Sequence, residues 1–439
     1  MCILIKESLF LANALARALA LFDYIKQNNI HEENCMKKNV YLSLIAAGVL
    51  ALNGCGSNAT SEVTNETSAS SEVPEEDSAA TVESTESADT AETESADSIT
   101  VTDMNGREVT IDGDIDSVVL TALPLPSIYA ITGAPIENLK GVHPGSTSAI
   151  ENSIMGSMYP DLVGIADNFV EGQDINVEEL LKIDPDVVIY WGEYENQYEA
   201  LKSVNIPAVG VFGEEGGDVV ATLQTWVDIM GQLFGTTGNT DKVIQYANDA
   251  LAEVNEKTSS LTDEEKPKVL YLYNHSSEQI SASGSGFYGG YWIEAAGGNN
   301  VAKEIENFGD VNMEQIYEWD PDIIILTTFT ETMPEDLYNN TIDGQDWSQV
   351  SAVKNGKVYK EPLGVYRWYV PCGDTPLMVK WMAQTLHPEI FDYDMITEIK
   401  DYYKEFYDYD VTDEQAQGIL DASPEAAKGT SWNATKSGK

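Results

Sequence analysis

The chain has few cationic side chains and few cysteines, and no long apolar run beyond its N-terminal segment. Lys and Arg number 24 against 73 Asp and Glu, a formal net charge of -49 in 439 residues. A surface that acidic repels phosphate backbones, which excludes sequence-independent nucleic-acid binding and argues against charge-driven adhesion to anionic lipid. No later segment approaches the roughly 20 continuous apolar residues that span a bilayer. Membrane attachment would therefore have to come from the N-terminus. The four cysteines are Cys2, Cys35, Cys55 and Cys372, and no two form a CxxC pair, so zinc-ribbon and thioredoxin-type sites are excluded on spacing. Cys372 alone follows Cys55, and no intrachain disulfide can form C-terminal to Cys55. A transition-metal site normally takes three or four His, Cys or carboxylate ligands, and the pattern does not advertise one. HExxH, GxSxG and a P-loop lysine are all missing.

One motif points toward an enzyme. Gly284-Ser285-Gly286-Phe287-Tyr288-Gly289 matches GxGxxG. A dinucleotide site places those glycines after the first strand of a βαβ unit and needs small residues near the pyrophosphate. Here the loop carries Phe and Tyr and falls in mid-chain. No catalytic function and no cofactor are expected.

The N-terminus reads as an address. Met36-Lys37-Lys38-Asn39 is followed by the apolar run Val40 to Leu52 and then Leu52-Asn53-Gly54-Cys55. The layout is that of a secretory signal, and its end resembles the lipobox of bacterial lipoproteins, which implies lipidation at Cys55. Residues 36–55 are thus the signal peptide, and residues 1–35 an upstream extension, with translation expected to start at Met36. Residues 56–98 contain no Lys or Arg and twelve Asp or Glu. Such a segment cannot bury enough apolar surface to offset its ordering entropy. As a disordered tether it would span about 35–40 Å.

From Ile99 the pattern is globular, and the length suffices for two lobes. Short β-branched runs at Ser117–Thr121, Val187–Trp191, Ala208–Phe212, Val269–Tyr273 and Ile323–Leu326 alternate with amphipathic stretches. Runs apolar on both faces suit parallel strands covered by helices, so the fold class is α/β. Val243, Ile244, Ala247, Ala250, Leu251 and Val254 recur at helical spacing, with Thr240 or Asp241 as cap. A helix over 241–261 would be about 30 Å long. It would bridge an N-terminal lobe at 99–240 and a C-terminal lobe with closing helices at 267–421, leaving a disordered tail after 424.

An ungapped internal repeat supports two related lobes. Ile175-Asn176-Val177-Glu178-Glu179-Leu180 leads to Asp184-Pro185-Asp186-Val187-Val188-Ile189. Val311-Asn312-Met313-Glu314-Gln315-Ile316 leads to Asp320-Pro321-Asp322-Ile323-Ile324-Ile325. Asn176 and Asn312 are expected N-caps, with Glu179 and Gln315 completing capping boxes. The proline then biases its preceding Asp out of the helix.

Glu178 and Glu314 are left over by that capping logic, although an acid in a first turn favours the helix dipole. The surrounding sequence resembles the periplasmic-binding family that serves ABC importers of iron–siderophore complexes, haem and cobalamin. The matching pieces are Val101-Thr102-Asp103 with Gly106-Arg107, the repeat itself, and Ala295-Ala296-Gly297-Gly298-Asn299-Asn300-Val301. They continue with Trp347…Val353-Lys354-Asn355-Gly356-Lys357-Val358-Tyr359 and Phe406-Tyr407…Val411-Thr412-Asp413-Glu414-Gln415. The resemblance covers about 99–421. It implies two Rossmann-like lobes joined by one long helix, with the ligand in the cleft between them. It also implies a monomer that docks a permease, and through it an ATPase, by one surface Glu on each lobe, here Glu178 and Glu314.

Cleft candidates come from the aromatic segments Tyr366-Arg367-Trp368-Tyr369, Phe287-Tyr288-Gly289-Gly290-Tyr291-Trp292 and Tyr190-Trp191-Gly192-Glu193-Tyr194, and from Leu123 to Ser127. Ligands of open α/β sheets sit at strand ends. The expected ligand-binding residues are Arg367, Tyr366, Trp368, Tyr369, Tyr288, Trp191, Ser127 and Phe287. Aromatic faces with an Arg suit a large, flat, anionic guest such as a ferric catecholate or a tetrapyrrole. Tyr366, Tyr369 and Tyr288 are candidates to ligate ferric iron directly. His387 reads as structural; His143 and His275 fall in loops after strands, where either could face the cleft, although a lone loop His more often faces solvent. The expected function is a lipid-anchored extracytoplasmic receptor for a ferric siderophore, with haem or cobalamin, or a sensing role, as alternatives.

Overall fold

The computed structural model describes residues 98–427. The extension 1–35, the signal 36–55 with Cys55, the tether up to residue 97 and the tail 428–439 lie outside them.

Two sheets stand on either side of one long helix. In the N-terminal lobe the strands Leu139–Val142, Val118–Leu120, Val187–Trp191 and Ala208–Val211 lie side by side in that order, all parallel. Val187 to Tyr190 are buried, as expected for a strand with helices over both faces. The second sheet runs Phe308–Asp310, Ile280–Ser283, Lys268–His275, Ile323–Leu326, Val358–Lys360. Its centre is parallel, but Ile280–Ser283 returns antiparallel from Lys268–His275, so this sheet is mixed. A hairpin of Ser98–Thr102 and Glu108–Asp112 opens the fold. Asp103 at its turn accepts Arg107 N at 2.8 Å and Gly210 N at 3.1 Å, tying the hairpin to the last strand of the lobe. Arg107 lies 3.7 Å over the Tyr198 ring and reaches Glu195 at 2.8 Å.

The bridging helix is Thr237–Thr258, not 241–261. It begins earlier because Gly235, in the left-handed conformation at φ 67°, closes the preceding helix Val219–Phe234 and leaves almost no linker. Thr240, a proposed cap, is buried inside the helix and packs over Gly231. Val243, Ala247, Ala250 and Val254 are buried, while Ile244 and Leu251 are half-buried. Burying Val243 and Val254 contributes about 1.5–3 kcal/mol each. Helices Thr375–Leu386 and Met395–Tyr407 pack beside the bridge, and one core runs through both lobes.

The repeat is structural as well as sequential. Asn176 Oδ1 accepts from the backbone N–H of Glu178 and Glu179, and Asn312 Oδ1 from Gln315. The reciprocal arm of each expected capping box is not formed. The Glu179 carboxylate goes instead to Lys182 at 2.6 Å, and the Gln315 amide to Glu318 at 3.4 Å. Each unit ends on an aspartate with positive φ, Asp184 at 54° and Asp320 at 42°, a conformation that Asp tolerates better than most residues. Asp186 and Asp322 each hold a backbone N–H of a neighbouring strand start, Ser117 and Lys268, at 2.8 and 2.9 Å. The tail does not dissolve at 424: Pro424–Ala427 form a 3₁₀ turn, with Ala426 buried against Leu363 and Ala422.

Candidate functional site

The two lobes face each other across a cavity of about 580 Å³. Its N-terminal wall comes from segments that follow strands: Thr121 to Pro124 after Val118–Leu120, His143 and Gly145 after Leu139–Val142, and Trp191 with Tyr194. The opposite wall carries Tyr273, Phe287, Tyr288, Phe329 and the run Tyr366, Arg367, Tyr369, Val370, Pro371. Nine of its nineteen lining residues are aromatic. Their rings form a connected set: Tyr273 and Phe287 meet edge to face at 5.7 Å, Phe287 stacks on Tyr288 at 4.8 Å, and Tyr273 lies 5.5 Å from Tyr369. Such pairs fix one another's orientation beyond what area burial gives.

Charge on the wall is sparse. Arg367 is the guanidinium there, only 2% exposed, 5.3 Å from the Phe329 ring centre and 5.4 Å from that of Tyr366. Its Nη2 donates to Ala426 O at 2.7 Å, so the C-terminal turn helps to set its pose. Three helices begin at the wall, since the N-cap residues Pro124, His143 and Phe287 all line it. The positive ends of their dipoles favour an anionic guest. His143 accepts Gly145 N at Nδ1 (3.0 Å), and burial lowers its pKa, so the ring is neutral at pH 7.

Two buried carboxylates and one buried ammonium hold the C-terminal wall in place. Glu361 accepts Tyr369 N at 2.7 Å, Thr328 Oγ1 at 3.2 Å and Tyr271 Oη at 3.2 Å. Its neighbour Lys360 donates to the carbonyls of Thr327, Thr330 and Thr332 at 2.9, 2.6 and 2.9 Å, which pins the loop bearing Phe329. Burial pushes Lys360 down and Glu361 up. Even so, three carbonyls around Lys360 match the three hydrogens of an ammonium, and the donors around Glu361 match an acceptor-only carboxylate. Asp374 Oδ2 accepts Val365 N (2.9 Å), Trp368 Nε1 (3.0 Å) and Tyr403 Oη (2.7 Å), clamping the loop that presents Arg367.

The structure brings Arg367, Tyr366, Tyr369, Tyr288, Trp191 and Phe287 to the cleft, and it removes two candidates. Ser127 is fully buried in the helix Leu125–Ile131, where its hydroxyl donates to Pro124 O and accepts Gly373 N, locking the lobes together behind the cleft. Trp368 is also fully buried, its indole N–H donated to Asp374 Oδ2 at 3.0 Å rather than offered to the cleft. Burial raises the pKa of Tyr366 and Tyr369, and that of Tyr288 to about 12, so these phenols are neutral in the metal-free protein, and Tyr369 Oη is engaged with Ser283 at 2.7 Å. Among the described residues no group of three or more His, Cys, Asp or Glu could hold a metal ion. His275 is buried between Thr332 and Gln345, and His387 bonds Gly297 O. Cys372 is a buried free thiol. His143, one of the two loop histidines that could face the cleft, does so; Phe329, Tyr273 and Trp226 were not among the sequence candidates. Phe329 was within reach, because the repeat matches it to Glu193, two residues beyond Trp191.

Residues 168–362 match the periplasmic binding protein family. A periplasmic solute binding protein from Veillonella parvula is 34% identical, with a TM-score of 0.69 over 76% of this chain and 100% of that one. The molybdate-binding protein MolA of Haemophilus influenzae is 25% identical over 337 residues, 70% of this chain and 90% of the relative. The Fe(3+)-citrate-binding protein YfmC of Bacillus subtilis is 24% identical over 270 residues, 61% and 79% of the two chains. The chain belongs to the periplasmic solute-binding protein family of ABC importers; it binds a solute and is not an enzyme. Among the described residues no helix is long and apolar enough to cross a membrane.

Proposed function

We propose that the protein is a lipid-anchored receptor that captures an iron complex of the ferric-siderophore kind and delivers it to an ABC permease. The observation that carries the reading is the cleft of about 580 Å³ whose walls carry nine aromatic residues and Arg367. Rings of that number supply flat apolar faces and a cation–π partner to a large conjugated guest. The volume is that of a small-molecule site, and three helix N-termini on the wall favour negative charge. The likeness to the Fe(3+)-citrate-binding protein of Bacillus subtilis supports iron as the cargo. Lipid at Cys55 would tether the receptor, and Glu178 and Glu314 would dock the permease, each through an exposed carboxylate that fixes register and raises the association rate.

A compact oxyanion is the second reading. The same helix N-termini suit it, and the relative from Haemophilus influenzae is a molybdate-binding protein. Tryptophan fluorescence titrated with ferric catecholate, ferric hydroxamate, ferric citrate, haem, cobalamin and molybdate separates the two. Submicromolar quenching by a ferric complex is expected. Tight response to molybdate alone would replace the cargo and keep the importer. Silence across the panel would favour a sensing role. Cys55→Ser should move the protein from the membrane fraction to the soluble one; retention on the membrane would refute the anchor.

A further inference from the structure

Six large apolar side chains are exposed among the described residues: Leu123, Val163, Leu181, Phe308, Tyr317 and Tyr338. Leu123 lines the cleft, and Phe308 packs against Tyr273 and Phe287 at its wall. Leu181 and Tyr317, 47% and 39% exposed, serve neither the cleft nor a core. They occupy the same position of the internal repeat, Leu181 three residues after Glu178 and Tyr317 three residues after Glu314. In a helical turn that spacing puts the acid and the apolar group on one face.

We propose that Glu178 with Leu181, and Glu314 with Tyr317, form matched patches that seat a permease of two like subunits, each offering a basic residue beside an apolar recess. This rests on the receptor reading above and adds apolar anchors to its carboxylates. The burial pattern along the two units agrees residue by residue from 175 to 183 and from 311 to 319, so the two lobes offer the same face to solvent. A monomer with two copies of one patch fits a partner with two copies of one recess. Among the described residues neither Glu178 nor Glu314 takes part in an ion pair, so both carboxylates are open to a cation from outside. Tyr317 is preset as an anchor, because its hydroxyl donates to Asp346 O at 2.6 Å and holds the ring. An anchor fixed before docking loses little entropy on binding.

The test is binding of the full protein to the cognate permease–ATPase complex in lipid nanodiscs, read by biolayer interferometry at two salt concentrations. Leu181→Asn with Tyr317→Asn should weaken binding about 10- to 100-fold, with the salt dependence unchanged and Tyr317 carrying more of the loss. Glu178→Arg with Glu314→Arg should abolish binding, and Tyr317→Phe, which keeps the ring, should stay within a few-fold of wild type. Wild-type binding by the double Asn variant, with loss in the double Arg variant, would overturn the apolar anchors and leave the receptor reading standing. Failure of wild type to bind would remove the receptor reading and this inference together. Sedimentation showing a dimer that the double Asn variant dissociates would overturn it in favour of a second copy of the chain.

Discussion

Asp374 holds the loop that presents Arg367, and its removal tests whether the cleft wall is built from beneath. In Asp374→Ala, Trp368 Nε1 loses its acceptor at 3.0 Å, and the hydroxyls of Tyr403 and Tyr407 lose theirs at 2.7 and 3.2 Å. Val365 N is spared in part because Tyr403 Oη lies 3.1 Å away as a second acceptor. A buried donor left without a partner costs about 1–3 kcal/mol, so three of them cost about 3–9 kcal/mol. The hydroxyls can rotate toward other acceptors while the indole cannot, which favours the lower half, about 3–5 kcal/mol. That is a large share of a typical stability of about 5–15 kcal/mol. Asp374→Asn keeps one oxygen for the three-donor side and offers an NH₂ to Tyr407, so it should lose no more than about 1–2 kcal/mol. Equilibrium urea unfolding followed by tryptophan fluorescence measures both. A loss below about 1 kcal/mol in Asp374→Ala, or equal losses in the two variants, would refute the clamp.

Other outcomes follow from the same geometry. A Cβ at Gly364 would overlap the Asp374 carboxylate, so Gly364→Ala should unfold at a markedly lower temperature; an unchanged melting curve would contradict the close approach. Burial lowers His275 from 6.5 to about 4, so the unfolded chain binds the extra proton between those pH values. Stability from this group is whole above pH 6.5 and lost as pH falls toward 4, by about 3 kcal/mol, and His275→Gln should flatten that part of the urea-midpoint profile. Trp191 is the half-exposed indole of the cleft, so Trp191→Phe should remove most of the ligand-induced fluorescence change; full quenching in the variant would place the guest elsewhere. Cys372 is fully buried with its thiol pKa raised, and it should react with a maleimide only on unfolding. The bridging helix packs between helices and a core shared by both lobes, so scattering should show little compaction on ligand addition.

The elements most legible in the sequence are those dictated by local chemistry. Val187–Trp191 and Ile323–Leu326 fall where their apolar runs end, because a strand buried on both faces admits few polar residues. Asn176 and Asn312 cap as their side chains require, and the aspartate before each proline leaves the helix. The repeat carried the two-lobed plan. Local chemistry did not reach the competition for partners. Glu179 leaves its capping box unclosed because the Asn176 N–H is already given to Phe169 O at 2.8 Å, and the bridge starts at Thr237 because Gly235 turns the previous helix directly into it.

The site divides along the same line. Sequence alone determined that aromatic segments with an arginine lie just past strand ends, since that placement follows from the α/β architecture. Which way each side chain points was decided by tertiary structure. Trp368 and Arg367 are neighbours in the chain, yet the Asp374 carboxylate draws one indole into the core while the guanidinium stays on the wall. Ser127 faces Gly373 rather than the ligand because the closing helices return to pack on the N-terminal lobe. Those choices depend on contacts between residues far apart in the chain, and only the packed fold sets them.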